Sequence, residues 1–311
     1  MEENGRPVVI DCDPGNDDAL AIIMMAASPQ VRIVGITTVA GNVAAETTAS
    51  NALALASFLG IEAPVTAGAY PLMRPYMPLD TAIMGQRGMG AVRLPQPDIE
   101  LDPRTSAQLL FDLCCAYPEG LEVLATGPLT NLALLFAEHP DSRDHISRII
   151  LMGGSVNGGN TSPVAEFNIH TDAEAARVVF RSGVPITMVG LDVCYQNRLL
   201  PEDFDELERI GGEFGQLVGR LFFYPGTPEK PFPAIGKPVF DSIAAAALLD
   251  PTCVSSVPLH VDVETVGELT YGETVVDVKD RLKLPPNADG VESCDKNRYL
   301  ALVRHAVRHF A

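Results

Sequence analysis

The stretch VVIDCDPGNDDALAI, positions 8 to 22, sets Asp11, Asp13, Asp17 and Asp18 around a Pro-Gly turn between two apolar runs. Carboxylates this close repel one another, and a bound cation relieves that repulsion. One or two acids opening a helix need no function, because they cap free N–H groups and suit the helix dipole. Four acids around one turn exceed capping. An EF-hand loop fails on spacing: it wants Gly at its sixth position and Glu at its twelfth. Counted from Asp11, those places hold Asn16 and Ile22.

Other chemistries have weaker support. A haloacid-dehalogenase-type phosphatase also opens on a strand and Asp-x-Asp, but Pro-Gly directly after the second Asp fits it poorly. There is no G-x-S-x-G elbow, and no cysteine has a histidine partner in a motif. The glycine-rich MGGSVNGGN lacks the Lys-Ser/Thr of a phosphate cradle. Of the histidines, only His170, two residues beyond Asn168, falls near a candidate site, and a strand-end or surface role suits it better than a functional one.

The elements that must position these acids alternate along the chain. Strands are expected at 7–13, 31–39, from 64, 121–127, 146–154 and 185–194. Helices are expected at 17–28, 45–60 (ending on Gly60, a C-cap residue), 105–116, 129–139, 172–183, 201–224, 241–249 and 295–310, with a hairpin at 259–278. The strands are continuous apolar runs, as in parallel sheets covered on both faces. Repeated βα units predict an α/β fold with a doubly wound, mostly parallel sheet and a late β-hairpin. Ligands of such sheets bind beyond the carboxyl ends of the strands. There the chain places Asp13, Asp17 and Asp18, then Asn42, then Thr126 and Asn131. Further along come Asn157, Asn160, Glu166, Asn168 and Asp172, then Asp192, with Asp241 before a late helix. Oxygen donors of this kind suit a hard divalent cation and a polyhydroxylated sugar together. The Pro- and Gly-rich stretches 71–103 and 225–239 read as lids.

Composition narrows the partners. The 311 residues are 47% hydrophobic, enough for a large core, and no linker or repeat divides them, so one domain over 1–311 is expected. A net charge of −18 without any Lys/Arg cluster longer than a pair argues against nucleic acid. The longest apolar runs are about half the ~20 residues that span a bilayer. The polar start MEENGRP is unlike a signal peptide. Six scattered cysteines without a paired framework read as small, buried, reduced residues, which favours the cytoplasm.

DCDPGNDDA (11–19), VAGNV (39–43), ATGPLTNLA (125–133), MGG (152–154), PVAEFNIHTDAEAA (163–176) and FDSIAAAALLDP (240–251) resemble, in order and spacing, the inosine-uridine-preferring nucleoside hydrolases. The resemblance runs over essentially the whole chain. It implies the Rossmann-like nucleoside hydrolase fold and hydrolysis of the N-glycosidic bond of small-molecule ribonucleosides to base and ribose, with a tightly held Ca²⁺. It also implies that Asp13, Asp18, Asp241 and the Thr126 carbonyl hold the ion. Asp17 would be general base for a water held at the metal, and Asn42, Asn160, Glu166 and Asn168 would grip the ribose. A homodimer or homotetramer is usual in the family.

The chain departs from the family at two places. Broad-specificity members carry a His just before the last metal Asp, where this chain has Phe240, and a His in a motif resembling HGxxGLG, where it has Met84. Purine-specific relatives stack the base on tryptophans, and this chain has none. Candidate base-pocket residues are Met84, Phe167, Phe240 and Tyr224, with Tyr76 or Tyr224 as candidate leaving-group donors. Two other readings stay open: a hydrolase of another ribosyl compound, and a ribose- or nucleoside-binding protein without turnover.

Overall fold

A computed structural model describes residues 5–71, 75–76, 85, 87–222 and 236–311. Strand β1 (Arg6–Cys12) runs through the middle of an eight-stranded sheet. Val8, Ile10 and Cys12 enter the core on one face and Val9 the core on the other. That alternation is what a strand covered on both sides requires. On one side of β1 lie β2 (Val31–Thr38) and β3 (Val65–Thr66); on the other lie β4 (Leu121–Ala125), β5 (Ile146–Met152) and β6 (Ile186–Val189). These six are parallel in the order 3-2-1-4-5-6, the doubly wound arrangement. Of the later strands, β7 (Val254–Leu259) closes the far edge, antiparallel to its neighbour. The pair β8 (Val261–Val263) and β9 (Thr274–Val276) forms the expected separate hairpin. Strand β10 (Ala288–Cys294) sits between β6 and β7.

Helices α1 (Asn16–Ala26), α2 (Ala45–Leu59), α3 (Ser106–Ala116), α4 (Thr130–Glu138), α5 (Phe167–Thr171), α6 (Ala173–Phe180), α7 (Leu191–Gln196), α8 (Pro201–Leu221), α9 (Phe240–Leu249) and α10 (Lys296–His309) cover the sheet. Every residue of α1 from Asp18 to Met25 is buried, because it packs against β2, α2 and α9. The alanine run of α9, buried from Asp241 to Leu249, allows that close approach and is strongly helix-forming. Both helices begin at the same end of the sheet, so Asp17 and Asp18 in the first turn of α1 come to face Asp241 in the first turn of α9. At the other end of α9, Arg6 Nη2 donates to the Leu248 carbonyl at 3.0 Å. Arg6 Nη1 and Arg148 Nε both donate to the buried Glu122 carboxylate, at 2.7 and 2.9 Å.

Several expectations are corrected. The strand expected at 185–194 ends at Val189. Gly190 then starts α7, which places Asp192 in a first helical turn. There Asp192 accepts hydrogen bonds from Val156 N–H, Ser155 and Asn157, a use away from the site. Helix α5 was not anticipated; Glu166 sets it off by accepting from the N–H groups of Asn168 and Ile169. Strands β7 and β10 were also missed, since VSSVPL and ADGVESC lack the continuous apolar run of a central strand. Not every cysteine is a buried spacer: Cys115 is exposed and Cys294 half-buried. The pairing of β7 with β10 brings Cys253 and Cys294 to 3.5 Å between sulfurs, both as free thiols. Much of the stretches 71–103 and 225–239 lies outside the described residues.

Candidate active site

The site begins where β1 and β4 part, the point at which the sheet's winding reverses. Asp13, just past β1, is fully buried. Its Oδ2 accepts the Asn42 N–H at 2.6 Å, and a Cβ on Gly41 would lie 2.0 Å from that oxygen. A Cβ on Gly127 would lie 2.9 Å from its Oδ1, so glycines on two loops allow the backbone to close around this carboxylate. Asp18 is held on three sides, accepting Gly15 N–H at 2.9 Å, Asn42 Nδ2 at 3.2 Å and Thr126 Oγ1 at 2.8 Å. Asp11, the remaining acid of the opening cluster, points sideways and accepts Thr37 Oγ1 at 2.6 Å and Asn131 Nδ2 at 2.7 Å. It ties β1 to its neighbours rather than joining the site.

Carboxylate oxygens of Asp17, Asp18 and Asp241 lie within 4.8 Å of one another. Asp13 Oδ1 and Asp17 Oδ1 are buried with no hydrogen-bond partner among the described residues. Burial and the charge of Asp18 push Asp17 up to about 7. Asp13 and Asp241 are raised further, first by burial and then by their acidic neighbours; Asp18 is raised by burial against its hydrogen bonds. Among the described residues the cluster has no positive partner of its own. All its donors are oxygens, the set a hard cation prefers. The chemistry it offers is the binding of such an ion, plus a carboxylate able to take up a proton near neutral pH.

Above the acids opens a pocket of about 430 Å³, large enough for a nucleoside-sized ligand. Asp17, Asn42, Thr126, Asn160, Glu166, Asn168 and Asp241 line its polar part. Phe167 and Phe240, with Met152, Tyr195, Phe222 and Pro238, give it an apolar part, and Tyr195 packs edge-on against Phe240 at 5.8 Å between ring centres. Glu166 accepts N–H groups of Gly154, Asn168 and Ile169, yet burial still raises it to about 7. Asn168 Nδ2 donates to the carbonyls of Thr126 and Met152, and Asn42 Nδ2 to that of Asp13 and to Asp18. Both amides are oriented by the protein before any ligand arrives.

Asp13 and Asp18 sit beneath the pocket and are not part of its wall. His170 packs edge-on against Tyr271, and Asp172 accepts Thr130 Oγ1 and caps α6, so neither joins the site. Tyr76 donates to the Gly41 carbonyl at 3.0 Å, next to Asp13. Met84 and Tyr224 lie outside the described residues. Asn16, Tyr195, Phe222 and Lys237 were missed by sequence reasoning. For Lys237 a signal existed: it is a cation four residues before Asp241 in an otherwise acidic site. Its Nζ donates to the Phe222 carbonyl, and burial lowers its pKa to about 8.

A doubly wound sheet with an acid-floored, nucleoside-sized pocket at its switch point defines an α/β ligand-binding class, and comparison with known proteins narrows it. Residues 8–301 match the family described as inosine-uridine preferring nucleoside hydrolase. The chain is 41% identical over 278 residues to the pyrimidine-specific ribonucleoside hydrolase RihA of Photobacterium profundum, covering 88% of this chain and 89% of that one. It is 37% identical over 309 residues to RihA of Escherichia coli K12, covering 98% and 99%. Among solved structures it superposes on a purine-preferring ribonucleoside hydrolase from Gardnerella vaginalis with a TM-score of 0.88 at 30% identity, covering 97% and 98%. The chain belongs to the inosine-uridine preferring nucleoside hydrolase family. Its activity is that of an N-glycosidase, cleaving ribonucleosides to base and ribose.

Proposed function

We propose that this enzyme is calcium-dependent, with Asp17 as the general base, and that pyrimidine ribonucleosides are its preferred substrates. The observation that carries the metal reading is the convergence of Asp17, Asp18 and Asp241, with two buried carboxylate oxygens lacking hydrogen-bond partners among the described residues. Asp13, Asp18, Asp241 and the Thr126 carbonyl would hold the ion. Bound there, Ca²⁺ would neutralise the acids and act as a Lewis acid toward water and the sugar diol.

The chain's own groups do the rest. Asp17, which lines the pocket, takes a proton from the attacking water. Asn42, Asn160, Glu166 and Asn168 position the ribose, so that C1′ stands near that water. The crowd of carboxylates stabilises the positive charge that develops at C1′ as the bond to the base breaks. The preference for pyrimidines follows the RihA relatives. A cytoplasmic homodimer or homotetramer is part of the same proposal, and no described helix is long and apolar enough to cross a membrane.

Ribose release from a panel of purine and pyrimidine ribonucleosides, with and without a chelator, tests all of this. Turnover of uridine or cytidine that is lost with EDTA and restored by Ca²⁺ is expected. Chelator-resistant turnover would remove the metal. Phe240 in place of a histidine favours a second reading, a non-nucleoside ribosyl substrate with a better leaving group; ribose release from such compounds alone would select it.

A further inference from the structure

The base must leave with a proton, and the family's histidine before the last metal Asp is here Phe240. On the site's apolar wall, Phe240 packs against Tyr195, and Lys237 reaches the Phe222 carbonyl. All four residues line the same pocket as Asp17 and Asp241. Lys237 is the single Lys or Arg among the described residues that line this pocket. We infer that Lys237 is the leaving-group acid, donating a proton from Nζ to the departing base.

Three observations support this. The backbone of Lys237 is pinned, since it exchanges both N–H···O bonds with Leu199, at 2.8 and 2.9 Å. The Phe222 carbonyl at the end of α8 aims the side chain toward the pocket's apolar wall. Burial lowers its pKa to about 8, close to what a proton donor needs at neutral pH. Among the described residues the charged and titratable groups sharing its pocket are Asp17, Asp241, Glu166 and Tyr195, while Arg198 donates to the adjoining Gly236 carbonyl.

The step balances. The C1′–N bond breaks with its electron pair going to the base, and Lys237 supplies the proton that makes the base neutral. Water oxygen bonds to C1′ and its proton goes to Asp17. Proton exchange with solvent then restores Asp17 and Lys237. This inference rests on the proposed reading of the pocket as the site of ribonucleoside cleavage.

The test compares uridine with p-nitrophenyl riboside, whose leaving group departs as a stable anion. General-acid assistance is typically worth ~10²–10⁴. Lys237→Met should therefore lose at least ~10² more kcat on uridine than on p-nitrophenyl riboside. Lys237→Arg keeps the cation and can keep the Phe222 contact, but a guanidinium does not give up its proton at neutral pH. It should show the same selective loss, and it serves if Lys237→Met does not fold. Equal losses on both substrates would mean a structural lysine and overturn the inference, as would full uridine activity in Lys237→Arg. A parent enzyme that cleaves neither substrate would overturn the reading of the pocket itself, and this inference with it.

Discussion

Removing the cation should make this protein less stable as pH rises, the reverse of ordinary acid denaturation. Burial and the neighbouring charge of Asp18 push Asp17 up to about 7 in the folded chain, from 3.8 for an ordinary aspartate. A carboxyl raised by folding binds its proton more tightly in the folded chain. Its contribution is thus complete below about pH 4 and is lost as pH climbs through 7. About three units at ~1.4 kcal/mol each amount to roughly 4 kcal/mol from this one group. Asp13, Asp18 and Asp241 are raised as well and push the same way. Asp102, lowered to about 2, acts only below about pH 4 and leaves this window flat. For a chain of this size ~2–4 °C accompanies each kcal/mol, so the EDTA-treated protein should lose on the order of 10 °C in Tm between pH 5 and 8. Calcium at ~1,000 times its Kd returns about 4 kcal/mol and should flatten the curve. Thermal melts of parent and Asp17→Asn, in EDTA and in excess calcium, measure this. A parent whose EDTA and calcium curves coincide at pH 8, or whose EDTA slope survives Asp17→Asn, refutes the reasoning.

Elemental analysis of the purified enzyme should find about one calcium per chain, and Asp241→Ala should lose metal and turnover together; a capping role alone predicts only ~1 kcal/mol of lost stability. Asp17→Asn should keep the fold and the ion while kcat on uridine falls by at least ~10²; near-normal kcat would remove Asp17 from its role. Gly41→Ala would set a methyl 2.0 Å from Asp13 Oδ2, so calcium affinity by titration calorimetry should weaken at least ~10-fold. An unchanged Kd would show that Asp13 does not hold the ion.

What could be read before the structure followed the physics of each signal. The central parallel strands were legible because their buried stretches are written as apolar runs, such as VVI in β1 and IILM in β5. Residues such as Asp17, Asn42 and Asn168 were legible because strand ends in this topology converge, whatever the path between them. Strands β7 and β10 escaped because VSSVPL and ADGVESC mix polar with apolar residues and leave several positions exposed, so neither is written as an apolar run. Asp192 was misplaced because VGLDVC is apolar enough for a strand, and only the extended Gly190 turns it into a helix. Lys237 and Tyr195 escaped for another reason. They belong to no strand end, and although Lys237 stands four residues before Asp241, its approach to Phe222 and that of Tyr195 to Phe240 are matters of tertiary packing.

Helix α9 carries Asp241 at one end and is grasped at the other, where Arg6 bonds the Leu248 carbonyl and shares Glu122 with Arg148. A ten-residue helix is about 15 Å long and axially stiff. It therefore behaves as a strut, with its foot in an ion-pair cluster on the rim opposite the pocket and its head among the acids. A small slide at the foot becomes the same slide at the head. Glu122, remote from any reacting atom, thus helps to anchor, through Arg6, the same stiff element that carries Asp241. Natural or selected changes at Arg6, Glu122 or Arg148 should be read as adjustments of the active site before they are dismissed as changes to the surface.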